Sequence, residues 1–458
     1  AAIYDVCVKT MGKVGVALTR HLAVENRVTV IDQNPHLVEN IINIYDVMGV
    51  CGNGASYDVQ KEADVEQADL LIATTSSDEI NILTCLVAKK MGVQHTIARI
   101  RSPEYGRQLR FMRSELGLSM AINPEAATAR EIARVLRFPT AMKLESFSKG
   151  RLELVEYRVA EHTALDGTRL SELYRNFKVR VLICAVARQG ETIIPSGDFT
   201  LRAGDKIYLT AAPRELEKFF RLLGVFRARA SSVMIVGASK MCYYLASELL
   251  EMGMSVKIID QNEQRCVEMS EKLPRALVIV GDGTDSELLS EEGISQTDAF
   301  VAITGLDEAN ILMALSAAKQ SGDCCKVVAK INRKSLLELV STESLIDSVV
   351  STGAVTTELI LQYIRAMKNA SASKVKTLHR IVDEKVEALE FSVTPDISFA
   401  GVPLRDLNLK RGLLLAGIVR QNGQIVIPSG NDVLHLHDDV IVVTTDTQLE
   451  DLRDILAE

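Results

Sequence analysis

Over residues 1–138, short apolar runs rich in β-branched residues alternate with longer stretches whose apolar positions recur every three or four residues. Segments 28–32, 69–74 and 96–100 predict strands, and 13–24, 80–90 and 124–137 predict helices. Pro124 suits a first helical turn, where a missing N–H costs nothing. Strand–helix alternation of this kind predicts a doubly wound parallel sheet of Rossmann type. From 142 to 226 the pattern changes. Segments 152–159, 179–188, 191–194 and 205–211 read as strands, with Asp166-Gly167, Gln189-Gly190 and Ala203-Gly204 as turns, which predicts a small α+β lobe.

The same scheme is then written again. Val30-Ile31-Asp32-Gln33-Asn34 returns as Ile258-Ile259-Asp260-Gln261-Asn262, an offset of 228 residues. Thr75-Ser76-Ser77-Asp78-Glu79-Ile80-Asn81 returns as Thr304-Gly305-Leu306-Asp307-Glu308-Ala309-Asn310, Ala98-Arg99-Ile100 as Ala329-Lys330-Ile331, and Ile194-Pro195-Ser196-Gly197 as Ile427-Pro428-Ser429-Gly430, the last at 233. Ordered matches at so steady a spacing mark a tandem duplication. The expected organisation is α/β: Rossmann-like domains at 1–138 and 231–368, each followed by a small lobe, at 142–226 and 385–458. The small polar stretch 369–376 reads as a linker.

In such sheets the ligand crevice lies at the carboxyl ends of the strands, so the residues there are the candidate chemistry. Thr10-Met11-Gly12-Lys13-Val14-Gly15 follows the first apolar run and keeps two of the three glycines of a Gly-x-Gly-x-x-Gly phosphate loop, with Thr10 in place of the first. Asp32 ends the next strand, twenty residues after Gly12, where a carboxylate binds ribose hydroxyls and repels an extra phosphate. That favours NAD(H) or an adenine nucleotide, with Gln33 beside it. Asn53, in Gly52-Asn53-Gly54, and Asp282, in Gly281-Asp282-Gly283, are candidate adenosine contacts or plain turn residues. Thr74, Thr75 and Thr304 end fourth strands beside the crevice, while Asp78 and Asp307 open the following helices, where N-capping is the leading reading. The second loop, Gly237-Ala238-Ser239-Lys240-Met241-Cys242, keeps only its first glycine, yet Asp260 still ends the next strand, so this site reads as altered or weak.

Composition narrows the partners. The chain has 458 residues, 47% hydrophobic and 24% charged, with net charge −8, which argues against nucleic acid or an anionic membrane surface as the main partner. No apolar run reaches the roughly 18 residues of a membrane span. Eight cysteines without a Cys-x-x-Cys pair read as buried, reduced thiols; the neighbours Cys324 and Cys325 read as a strand-edge coincidence, with a redox pair as the other possibility.

Gly12-Lys13-Val14-Gly15, Asp32, the 75–81 stretch and Ala98-Arg99-Ile100-Arg101-Ser102-Pro103-Glu104-Tyr105 resemble the TrkA-type regulators of bacterial Trk potassium uptake, part of the RCK/KTN group. The resemblance spans nearly the whole chain and includes the tandem layout. It implies a homo-oligomeric cytoplasmic gating ring, held at the inner face of the membrane through a TrkH-type potassium-translocating partner, that binds NAD(H) and ATP or ADP. Gly12, Gly15 and Asp32 match the family's cofactor positions, and Arg99 matches one that reaches ligand phosphates, with Lys330 as its counterpart. A cation near polyphosphate is also sensible from charge alone. The competing class is an NAD-dependent oxidoreductase with tandem Rossmann domains. Against it, none of the seven histidines stands in a motif with a carboxylate partner that suggests a tuned acid–base pair. His435-Leu436-His437 reads as a solvated edge strand rather than a metal site. Helix 126–136 carries an apolar stripe suited either to a second chain or to its own core.

Overall fold

The computed structural model describes residues 5–9, 13–24, 26–105, 116–322, 325–340, 346–369, 375–382, 385–446 and 449–457. In chain order, the first sheet is built from β1 (Asp5–Lys9), β2 (Arg27–Asp32), β3 (Met48–Cys51), β4 (Leu70–Ala73), β5 (His95–Arg99) and β6 (Met120–Ile122). Its helices are α1 (Lys13–Leu22), α2 (Pro35–Ile44), α3 (Tyr57–Glu62), α4 (Asp78–Met91) and α5 (Pro124–Arg137). All its strand pairs are parallel and the order is β3-β2-β1-β4-β5-β6, so the connection reverses direction between β1 and β4. Every residue of β4 is buried, as a central strand covered by helices on both faces requires.

The first small lobe holds β7 (Lys143–Phe147), β8 (Leu152–Arg158), β9 (Leu182–Arg188), β10 (Glu191–Ile193) and β11 (Lys206–Ala211), with α6 (Leu173–Phe177) and α7 (Pro213–Leu222). Its sheet is antiparallel, in the order β10-β9-β11-β8-β7. The second parallel sheet is β12 (Ser232–Val236), β13 (Ser255–Asp260), β14 (Leu277–Val280), β15 (Ala299–Ala302), β16 (Lys326–Lys330) and β17 (Ser348–Val350), ordered β14-β13-β12-β15-β16-β17. Its helices are α8 (Lys240–Glu251), α9 (Glu263–Lys272), α10 (Ser286–Glu291), α11 (Asp307–Ser321), α12 (Lys334–Val340) and α13 (Thr352–Asn369). The second lobe is β18 (Val375–Ile381), β19 (Val386–Ser392), β20 (Leu413–Val419), β21 (Ile425–Val426) and β22 (Asp439–Thr444), ordered β18-β19-β22-β20-β21.

The chain forms two compact units, one of residues 1–132 with 232–359 and one of 133–231 with 360–458. Duplicated parts therefore pair with each other: the two parallel sheets belong to one unit and the two small lobes to the other. The lobes share a single core, in which Phe147, Leu152, Cys184 and Tyr208 of the first meet Val386, Ala388, Ala416 and Ile441 of the second. The approach is close. A Cβ on Gly417 would stand 2.4 Å from a Leu152 methyl, and the Thr210 hydroxyl donates to the Ala416 carbonyl at 2.6 Å. At one edge the buried Glu145 carboxylate lies 3.0 Å from His379 Nδ1 and 3.0 Å from Lys143 Nζ. Burial opposes its charge, but His379, Lys143 and Arg134 outweigh burial and hold this carboxyl well below its ordinary value.

One open alternative is decided and three expectations change. Helix 126–136 buries Ala129, Ile132, Ala133, Val135 and Leu136 within this chain, which accounts for its apolar stripe. His435 and His437 lie in a turn, with His437 at φ +68°, rather than on a strand. Of the cysteines, Cys85, Cys184, Cys242, Cys266 and Cys325 are buried and Cys51 is exposed; Cys324 lies outside the described residues. The segment read as a linker, 369–376, begins in α13 and ends in β18, with 370–374 outside the described residues. Among the described residues no helix is long and apolar enough to cross a membrane.

Candidate functional site

The β1–β4 reversal opens a crevice at the carboxyl ends of the strands, the place where an α/β sheet receives a ligand. Parallel register brings the predicted residues to this one edge. Asp32 pairs with Cys51 across β2 and β3, and Lys9 pairs with both Ile31 and Ala73. Gly52 N donates to the Asp32 carbonyl at 2.9 Å, so the loop carrying Asn53 starts beside the acid. Asn34 N donates to Asp32 Oδ1 at 2.8 Å, and Asn53 Oδ1 accepts from Ala55 N at 3.1 Å, which holds each carbonyl or carboxylate group in place. Gln33 follows Asp32 at the exposed rim, where its carbonyl meets the Cys51 thiol at 3.7 Å. Val14 and Gly15 are buried in the first turn of α1, whereas Gly12 and the Lys13 side chain lie outside the described residues.

On the other side of the reversal, Arg99 ends β5 and turns back to donate Nη2 to the Thr75 carbonyl at 2.6 Å. Its Nε is buried without a hydrogen-bond partner, and burial, then the neighbouring Arg101 charge, pulls its pKa below the ordinary value. A half-buried guanidinium with a spare donor is suited to an anion. Thr74 is buried directly after β4.

Two residues do something the sequence reading did not assign. Asn81, fully buried on α4, accepts from Thr75 N at 2.7 Å and donates to the carbonyls of Thr75 at 3.1 Å and Arg99 at 2.8 Å. It ties the ends of β4 and β5 together. Asp78 is not the helix cap: Ser77 caps α4 by accepting from Ile80 N at 3.2 Å. Asp78 Oδ2 instead accepts from Arg101 N at 2.9 Å and Ser102 N at 2.8 Å, stapling the loop after β5. The second copy repeats both devices. Asn310 joins Thr304 to Lys330, and Asp307 Oδ2 accepts from Asn332 N and Arg333 N at 3.0 and 2.8 Å, while Leu306 occupies the cap position without a side-chain bond. N-capping is thus corrected for both aspartates. The signal for these roles was the repetition of the Asp-Glu-x-Asn pattern itself.

The second crevice is filled differently. Gly237 sits at φ +112°, and a Cβ there would stand 3.0 Å from Thr304 N, so this glycine is required by the backbone. Both Asp260 oxygens already accept backbone N–H groups, from Ala238 at 2.7 Å and Asn262 at 2.8 Å. Ser239 caps α8 by accepting from Cys242 N at 3.3 Å, and Cys242 is fully buried. Asp282 accepts from the Thr284 amide and hydroxyl at 2.9 and 2.7 Å; these bonds, with one from Gln261, lower its pKa. Lys330 Nζ lies 3.5 Å from the Ile303 carbonyl.

Lys240 is not gathered with the second crevice. It lines a polar pocket of about 270 Å³ with Ser76, Ser77, Glu79, Arg101 and Tyr105 of the first copy. Glu79 is exposed there, and its pKa is drawn down to about 2 by the Ser77 hydroxyl, its own backbone N–H and the Tyr105 hydroxyl. One pocket therefore draws side chains from both nucleotide-type sheets.

Comparison with known proteins agrees with this layout. The TrkA-N domain model matches residues 6–124 and 233–352, and the TrkA-C domain model matches 154–224 and 388–457. The chain is 31% identical to the Trk system potassium uptake protein TrkA homolog of Archaeoglobus fulgidus over 97% of this chain and 98% of that protein. It is 31% identical to the Trk system potassium uptake protein TrkA of Vibrio alginolyticus over 95% of this chain and 93% of that one. Among solved structures, the GsuK RCK domain aligns at a TM-score of 0.62 with 19% identity, covering 98% of this chain and 93% of the other. The GsuK channel bound to NAD aligns at 0.62 with 20% identity, covering 98% and 78%. Tandem TrkA-N and TrkA-C domains, matched in order along the chain and supported by full-length relatives, establish that this chain belongs to the TrkA family of Trk-system potassium uptake proteins.

Proposed function

We propose that this chain is a non-enzymatic regulatory subunit that places potassium uptake through a TrkH-type membrane partner under nucleotide control, acting as a homo-oligomeric gating ring on the cytoplasmic side. The observation that carries the reading is the first crevice. Asp32 for ribose hydroxyls, Asn53 for the adenosine side and the half-buried Arg99 with a spare donor for phosphate stand along one strand edge at the topological switch point. The residues present suit NAD(H), ADP or ATP. Gly12 and Gly15 would let the phosphates approach the start of α1, and an acid at Asp32 disfavours the extra phosphate of NADP.

The second crevice supports a different preference. There Ser239 replaces the glycine that a pyrophosphate would touch. Nucleotide in the crevices would favour one of two arrangements of paired domains, and the partner would read the difference. Taking a two-state ring from mostly closed to mostly open needs roughly 5.5 kcal/mol of differential binding, which several sites can share.

Calorimetry with NADH, ADP and ATP on the full chain tests the reading. Binding that weakens at least about tenfold in Asp32→Ala is the expected result. An absence of binding by all three nucleotides removes the proposal, and steady turnover of a hydroxy- or amino-acid substrate with NAD replaces it with an oxidoreductase.

A further inference from the structure

Tyr244 lies on α8, the helix that begins at the second copy's glycine loop, yet its partners belong to the first copy. Its hydroxyl donates to the Arg101 carbonyl at 3.1 Å and accepts from Asn123 Nδ2 at 2.8 Å. Asn123 in turn accepts from Ala126 N at 2.9 Å at the head of α5. The loop after β5 is therefore held from two sides: Asp78 of its own copy takes the Arg101 and Ser102 amides, and Tyr244 of the other copy takes the Arg101 carbonyl. Two residues upstream in that loop's strand is Arg99, the half-buried cation of the first crevice. Lys240, on the first turn of the same α8, lines the pocket shared with Arg101 and Ser102, so α8 touches the loop's surroundings at two points.

The duplication supplies an internal control. β1 and β12 begin at Asp5 and Ser232, an offset of 227, which places Ala17 of the first copy opposite Tyr244 of the second. β6 and β17 begin at Met120 and Ser348, an offset of 228, which places Ser351 opposite Asn123. An alanine has no hydroxyl to donate, so the Tyr244 bond has no counterpart at Ala17.

Resting on the nucleotide reading above, we propose that Tyr244 is a positioning residue that ties the second copy's loop helix to the loop behind Arg99, so that the second copy sets the nucleotide affinity of the first crevice without a reciprocal hold. Tyr244→Phe removes the hydroxyl and keeps the ring, which makes it the informative variant.

Two measurements on the full chain test this. Without nucleotide, amide exchange in a peptide spanning 99–105 should speed up in Tyr244→Phe. With ADP, affinity in the Asp260→Ala background, which reports the first crevice, should fall roughly two- to tenfold, the worth of one hydrogen bond. In the Asp32→Ala background, which reports the second crevice, Tyr244→Phe should change nothing. Unchanged exchange, or an equal loss at both crevices, overturns the one-way tie while leaving nucleotide control standing. If neither ADP nor NADH binds the unmodified chain, nucleotide control falls and takes the affinity half of the proposal with it; the exchange result then decides whether the tie exists at all.

Discussion

Asn81 donates its side-chain amide to the carbonyl of Arg99 at 2.8 Å, and Asn310 makes the same bond to Lys330 at 2.9 Å. Both asparagines are fully buried, and both cations end fifth strands at a crevice. A polar side chain in that position is retained because it satisfies three backbone groups that no apolar residue satisfies.

Asn81→Leu keeps the branching at Cγ and strands Thr75 N and Arg99 O, while Thr75 O keeps its bond from Arg99 Nη2. The expected cost is about 2–4 kcal/mol, read as a lower urea midpoint of the full chain. A loss below about 0.5 kcal/mol would contradict the bracing role.

Much of the scaffold was legible because β-branched runs between turn residues leave little freedom. Segment 28–32 differs from β2 by one residue, and 124–137 coincides with α5. β7 was not read, because its buried Glu145 and Glu145's charged neighbour Lys143 hide the alternation expected of a strand. β6 was missed for its length of three residues. In the candidate site, Asp32 and Arg99 were visible from strand-end position and charge. The bonds of Asp78 and the bond from Asn81 to Arg99 were not, since those partners are 18 to 24 residues away and only folding brings them near. The shared core of the lobes was equally hidden: an apolar strand face does not say which sheet covers it.

The Glu145–His379 pair gives the lobe unit a pH signature. A carboxyl whose folded pKa is depressed contributes stability above its ordinary value of 4.5, and that contribution is lost as pH falls through the folded value. Wild-type chain should therefore lose more stability than Glu145→Gln between about pH 5 and about pH 3 in urea titrations. Parallel loss in the two proteins would show that the pair carries no such linkage.

Thr210 joins the lobes through a buried bond to the Ala416 carbonyl at 2.6 Å, and its hydroxyl also lies 3.4 Å from Cys184 Sγ. Thr210→Val leaves that carbonyl without this donor at nearly constant volume. A cost of about 1–3 kcal/mol is expected in thermal unfolding, and a neutral result would mean that the apolar core alone holds the lobes together.

Nucleotide-controlled regulation of potassium uptake is tested most directly by potassium flux into vesicles holding a TrkH-type subunit, with the full chain added on the cytoplasmic face. Flux should depend on the added chain and change with NADH, ADP or ATP, and Asp32→Ala should blunt the nucleotide response while the chain still binds its partner. Flux that is indifferent to the chain, or that responds to it identically with and without nucleotide, would contradict the account.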